Sequence, residues 1–379
     1  APRRLLALAS AMKVAGHDVC IVSDSDSELL ECAEAKGLRT IGIEPLGLLV
    51  LRGGALLKGG LVFRLRVLLA LLLHNIRIGR LVRLLDADAC WTRGSKGIAF
   101  AALGILVSRR PLIWDVDHEP PSIGTIRMLH RLGLWSASRI VLQYSAAAEQ
   151  IFGISLARKY EEKCRVLVPG LDSAALRCGV FKRVREIERI TKRTFMLLQV
   201  GTVCERKNQS SMVEAIEQLN TKIGEIEVKL LFAGGIFDAA YAARLRQAVS
   251  AAGLTEQIEF LGWRSDVHEL MAQADMLLMP SLGEGVPNAV QEAMFIGLPV
   301  IVSSAGGMPE VVEHDVTGWV VKQNSPEAWA DQIKWCLENP KLVAEITDAA
   351  AQYATANFTR DAWGARYGAI FSEVVQNFR

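Results

Sequence analysis

The feature that most constrains this chain is a regular exchange between two hydrophobic periods. Short apolar runs alternate, along most of the length, with longer stretches in which apolar residues recur every three or four positions. The short runs fit buried parallel strands, and the longer stretches fit helices that cover them. In the first half, strands are predicted at residues 19–23, 39–43, 87–91, 111–116, 139–143 and 164–168, with helices at 27–36, 61–85, 95–107, 124–134 and 146–158. In the second half, strands are predicted at 194–200, 227–233, 258–261, 276–280, 299–303 and 318–321. Helices there fall at 208–219, 239–251, 267–272, 288–295, 326–337 and 359–377. Two such series in a row predict an α/β chain of two doubly wound domains.

The length of 379 residues agrees, since it is too long for one ordinary core. Val168-Pro169-Gly170-Leu171-Asp172 ends a strand with turn-forming residues, and a connector rich in Lys and Arg follows. The expected division is a first domain at 1–172, a linker at 173–193, a second domain at 194–355 and a C-terminal helix at 356–379 that packs back on the first domain. Ala1-Pro2-Arg3-Arg4 leads straight into Leu5–Ala9, which reads as an amphipathic helix and not as a signal peptide. A doubly wound domain that opens on a helix is expected to lack its first strand and the glycine-rich turn after it.

Composition excludes several classes. The net charge of +2 is too small for whole-molecule binding of nucleic acid. Seven scattered cysteines without CxxC spacing or a histidine cluster argue against a zinc site or a disulfide framework and for a reducing, cytoplasmic setting. The longest apolar run, residues 67–73, is closed by Arg66 and His74 and falls far short of a membrane span.

The chemistry is concentrated after the strand at 276–280, in Ser281-Leu282-Gly283-Glu284-Gly285-Val286-Pro287-Asn288-Ala289-Val290-Gln291-Glu292. Pro287 suits a first helical position, which would leave the N–H groups of Asn288, Ala289 and Val290 at a helix start, where phosphate binds. Gly283 and Gly285 permit close backbone approach to a ligand. Ionised Glu284 and Glu292 are acceptor-only groups suited to vicinal sugar hydroxyls. Gly201, followed by Arg206 and Lys207 at the next helix start, supplies cations for a leaving diphosphate. Gly306-Gly307, before Pro309-Glu310, repeats the theme.

Gly201, Lys207, Gly262, the loop Glu284-Gly285-Val286-Pro287-Asn288, Gly306-Gly307 and Pro309-Glu310 together resemble the donor domain of retaining glycosyltransferases of the GT-B fold, family GT4. That family pairs two glutamates with seven residues between them, as Glu284 and Glu292 are spaced. The resemblance covers residues 160–325, and the first half is similar only in pattern. It implies two Rossmann-like domains with the active site in the cleft between them. It also implies a hexose-type sugar carried by a nucleoside diphosphate (UDP or GDP) and transferred to a saccharide or lipid-linked acceptor, as in cell-surface polysaccharide or glycolipid synthesis.

In this reading Glu284 holds donor-sugar hydroxyls, Glu292 the ribose diol and Lys207 the diphosphate, aided by backbone at Gly283–Val286 and Gly306–Gly307. Arg264, beside Gly262, would border the base. No cofactor or metal is implied. A catalytic histidine is expected after the strand at 111–116, where either Asp117 or His118 takes the position. Thr202 stands where the family often carries Arg, and Arg206 could supply that charge. The alternatives are a non-catalytic nucleotide-sugar binding subunit, or an epimerase or phosphorylase of the same fold.

One further stretch stands out. Between Glu44 and Asp86 there is no acidic residue, whereas Arg52, Lys58, Arg64, Arg66, Arg77, Arg80 and Arg83 all occur. Segment 52–83 reads either as a peripheral contact with an anionic membrane or as a buried helix rimmed by solvated arginines.

Overall fold

The computed structural model describes residues 2–44, 46, 49, 60–116, 124–171, 176, 194–219, 222–223 and 226–378. The chain divides into two compact units, Ala1–Gly170 with Arg360–Arg379, and Leu171–Thr359.

The first unit runs α1 (Pro2–Val14), β1 (Cys20–Asp24), α2 (Glu28–Glu34), β2 (Arg39–Ile43), α3 (Leu61–Leu84), β3 (Cys90–Arg93) and α4 (Gly94–Val107). It continues through β4 (Leu112–Val116), α5 (Gly124–Ser136), β5 (Arg139–Leu142), α6 (Ala147–Phe152), α7 (Ile154–Lys159) and β6 (Cys164–Val166). The predicted helix at 146–158 is in fact two short helices. Gly153 interrupts it at φ 84°, a conformation that a helix cannot contain. The six strands form two parallel sheets, β1-β2 and β3-β4-β5-β6, where one doubly wound sheet was expected. Helix α1 serves both, with Leu6 and Ala9 packing near Ile21 of β1 and Leu8 and Met12 near Ile113 and Val141.

The second unit runs β7 (Thr194–Val200), α8 (Gln209–Gln218), β8 (Lys222–Ile223), β9 (Ile226–Ala233), α9 (Ala239–Ala251), β10 (Ile258–Gly262) and α10 (Val267–Gln273). Next come β11 (Met276–Met279), α11 (Asn288–Ile296), β12 (Val300–Ser303), β13 (Trp319–Val321), α12 (Pro326–Glu338) and α13 (Pro340–Asn357). The strand order is β10-β9-β7-β11-β12-β13, all parallel, with β8 added antiparallel to β9. From β7 the chain builds outward first through β9 and β10, then returns to build the other side from β11. Adjacent β7 and β11 therefore flank the point where the winding reverses, the usual ligand crevice of such sheets. Helix α13 has no counterpart among the predicted elements. Its alanine-rich run begins with Pro340 in the first turn.

The last helix, α14 (Arg360–Phe378), belongs to the first unit, as expected from the sequence. Trp363, Tyr367, Ile370 and Val374 share a core with Leu8 and Met12 of α1. Gly364 lets the two helices close, since a Cβ there would stand 2.4 Å from the Ala11 Cβ. Glu373 accepts hydrogen bonds from Arg139 at 2.6 Å and Arg165 at 2.8 Å, which hold its carboxyl below the usual range.

Candidate active site

The loop after β7 is shaped by its need to turn a lysine back over its own strand. Gly201 has φ 149°, and a Cβ there would lie 2.8 Å from Lys207 Cε, so the lysine stem crosses where a side chain would be. Lys207 ends a short 3₁₀ turn, Glu205–Lys207, and Asn208 follows in the left-handed region at φ 54°. The helix then begins at Gln209, so Lys207 precedes it by a turn of its own and is not in its first turn. Gln199 Nε2 donates to the Lys207 carbonyl at 2.8 Å, and Asn208 Nδ2 donates to the Pro280 carbonyl at 3.2 Å. These bonds tie the loop after β7 to its own strand and to the end of β11.

The loop after β11 meets it. Lys207 Nζ lies 2.7 Å from Glu284 Oε1, and both side chains are nearly buried, at 11% and 12% exposed. Arg206 donates to the same oxygen at 2.7 Å and to the Gly283 carbonyl at 2.8 Å. The Leu282 N–H donates to the Arg206 carbonyl at 2.9 Å. Two cations on one carboxylate leave net positive charge at the strand ends, in surroundings where a hydrogen bond to charge is stronger than in water.

The loop after β12 supports this cluster from below. The Gly307 N–H donates to the Gly285 carbonyl at 3.0 Å. Gly306 adopts φ 60°, and a Cβ there would lie 1.7 Å from the Glu284 carbonyl oxygen. Ser303 Oγ donates to the Ser281 carbonyl at 2.6 Å. Gly234, after β9, packs so closely that a Cβ would stand 1.9 Å from the Gly201 carbonyl oxygen. Four strand-end loops thus meet through glycine.

Not every expected residue joins this cluster. Pro287 is the residue before α11 and not its first helical residue, with extended backbone at ψ 123°. Its carbonyl takes the Val290 N–H at 3.2 Å, so that N–H is already used, contrary to the expectation of three free donors. Val286 and Pro287 are buried beneath the loop, and Asn288 opens the helix. Glu292 pairs with His268 of α10, Nε2 to Oε2 3.5 Å, and not with the lysine cluster. That hydrogen bond raises the His268 pKa against the opposing effect of burial. Arg264 forms a two-pronged pair with Asp266 at 2.8 and 2.5 Å on the surface, which holds the Asp266 carboxyl down. His118 and Asp117 lie outside the described residues, as do Arg52, Lys58 and most of the connector.

His268, Gln199 and Asn208 are not among the site residues predicted from the sequence. Gln199 is a polar residue near the end of an apolar strand and Asn208 directly follows Lys207, positions visible in the sequence; the fold buries both. His268 lies on a separate helix, and no local spacing ties it to Glu292.

Two parallel-sheet units, the second with a glycine-lined charged crevice at its winding reversal, define the GT-B fold of glycosyltransferases. HepE of Anabaena, solved in complex with UDP, superposes with a TM-score of 0.74 at 18% identity, covering 98% of this chain and 96% of that one. A glycosyltransferase from Rickettsia africae superposes at 0.78 with 17% identity over 99% and 95%. The second half of the chain matches the family Glycosyl transferases group 1 over residues 180–353, a span that lies within the unit that carries the cluster.

The amylovoran biosynthesis glycosyltransferase AmsK of Erwinia amylovora is 30% identical over 142 residues, 35% of this chain and 34% of that protein. The N-acetyl-alpha-D-glucosaminyl L-malate synthase of Bacillus anthracis is 26% identical over 182 residues, 48% and 46%. The chain thus spans between about a third and about half of the length of these two relatives.

Proposed function

We propose that the chain is a retaining glycosyltransferase that moves a hexose-type sugar from UDP or GDP to a saccharide or lipid-linked acceptor in surface-polysaccharide or glycolipid synthesis. The observation that carries this reading is the meeting of Lys207, Arg206 and Glu284 at the winding reversal of the second sheet. The match of residues 180–353 to Glycosyl transferases group 1 supports it, as do relatives named for amylovoran and colanic acid biosynthesis. HepE, which shares the fold, has been solved with UDP-glucose bound.

In the reaction the bond between the sugar's anomeric carbon and the diphosphate oxygen breaks, and a bond to the acceptor oxygen forms on the same face. The acceptor hydroxyl proton passes to the departing phosphate oxygen, so no protein nucleophile is needed for retention. Lys207 and Arg206 stabilise the charge that grows on the leaving diphosphate. A donor diphosphate drawing these cations frees the Glu284 carboxylate to accept hydrogen bonds from the sugar. Glu292 would hold the ribose, with His268 fixing its carboxylate. The two cations do for the phosphates what a divalent metal could do, so the reaction is proposed to be metal-independent.

The test is incubation with a panel of UDP- and GDP-sugars and an acceptor extract, with and without a chelator. Release of nucleoside diphosphate that requires acceptor, and that chelation leaves unchanged, is expected. Turnover without acceptor points instead to hydrolysis or isomerisation. Nucleotide binding with no turnover under any acceptor points to a non-catalytic subunit.

A further inference from the structure

Helix α3 presents apolar residues on both sides. The side turned toward the protein buries Val67 and Val82 together with His74 and Asn75, and Asn75 binds the Ala99 carbonyl and the Gly104 N–H at 3.0 and 3.1 Å. Gly79 and Gly104 bring α3 and α4 into close contact, since a Cβ on Gly79 would lie 2.7 Å from the Gly104 carbonyl oxygen. The opposite side carries Val62, Leu65, Leu68, Leu69, Leu72 and Ile76, which are between 44% and 69% exposed. At about 100° per residue these six sweep roughly 120° of the helix surface. Arg66, Arg77 and Arg80 follow along one edge of that face, and Arg64 lies beyond the other.

A continuous leucine face of this kind is costly in water and marks a contact surface. The charge around it selects the occupant. Every ionised side chain on the helix is positive, and no acidic residue occurs between Glu44 and Asp86. A second copy of the chain, joined about a two-fold axis, would bring like-charged arginine rows together with no carboxylate from this segment to answer them. A bilayer with anionic headgroups satisfies both features, taking the leucines into its acyl boundary while the arginine stems reach up to phosphate. Among the described residues no helix is long and apolar enough to cross a membrane, so the helix would lie in the interface plane.

We infer that the outward face of α3 docks the chain on an anionic lipid surface. The inference goes beyond the donor chemistry, and its test uses no nucleotide, so either reading can fail alone. The full chain is floated with vesicles of phosphatidylcholine, with and without phosphatidylglycerol, at low and high salt. The expected result is flotation with the anionic vesicles that weakens with salt. Replacing Leu65→Ser, Leu68→Ser and Leu72→Ser together should lower the affinity about tenfold or more, with the melting temperature kept because these side chains are exposed. A separate Arg66→Gln, Arg80→Gln variant should lose the preference for anionic lipid while its melting is unchanged. No flotation by the wild type overturns the inference, as does flotation that the leucine variant retains. A dimer that the leucine variant dissolves, in a protein that does not float, overturns it in favour of a second copy.

Discussion

Lys207 and Glu284 come from the loops after two adjacent strands whose connections run in opposite directions, and their charged atoms meet at 2.7 Å with little exposure. Arg206 shares the same carboxylate oxygen at 2.7 Å. This arrangement brings one carboxylate and two cations together, with the geometry set by glycines rather than by the charges alone; in the proposed reaction the carboxylate serves the sugar and the cations its leaving group.

Lys207→Met keeps the buried stem over Gly201 and removes the charge. Arg206 continues to neutralise Glu284, so the protein should remain folded. Transfer should fall by about 10²–10³-fold in kcat, the usual cost of losing one donor to a developing anion. A steady-state assay at saturating donor, with a melting curve beside it, checks this. A rate within about threefold of wild type would remove Lys207 from the mechanism.

Two glycines in the loops after adjacent strands β11 and β12 should behave oppositely. Gly306→Ala places a methyl against the Glu284 carbonyl oxygen and forces alanine to φ 60°, so it should cost about 2 kcal/mol or more. Gly283→Ala meets no atom within 4 Å, and its stability should stay within about 0.5 kcal/mol of wild type. Urea unfolding of the two variants makes the comparison, and equal losses would show that the loops are not packed as described.

The His268–Glu292 pair predicts a pH dependence with a defined sign. Glu292 raises the folded-state pKa of His268 above its unfolded value. The stabilisation is therefore complete below the ordinary histidine pKa of about 6.5 and is lost as pH rises through the higher folded value. The gap in melting temperature between wild type and His268→Asn should be larger at about pH 5.5 than at about pH 8.5. A gap that does not change with pH would mean the pair carries no coupling.

Much of this was legible in the sequence. The strands at 39–43 and 194–200 and the helix at 239–251 were bounded to the residue. Glu284, Lys207, Arg206, Gly201 and Gly306 were legible because a glycine, a charge and a helix start in fixed order have few other uses. Other features were not. Pro287 fits a first helical position and the residue before it equally well, and only the fold decides which. Helix α13 follows α12 after a single residue, so its period merges with that of its neighbour. The leucines of α3 count as core by composition, and nothing local reveals that they face outward. The split of the first unit's strands into two sheets is likewise a matter of pairing, which no single strand encodes.

The central claim is that the charged crevice at the reversal of the second sheet binds a nucleoside diphosphate through Lys207. Its most direct test is titration calorimetry of UDP and GDP into the wild type and into Lys207→Met. The account predicts that at least one nucleotide binds the wild type and that Lys207→Met weakens it at least about tenfold, as loss of a charged hydrogen bond should. Equal affinity for both proteins, or no binding by the folded wild type, would contradict it.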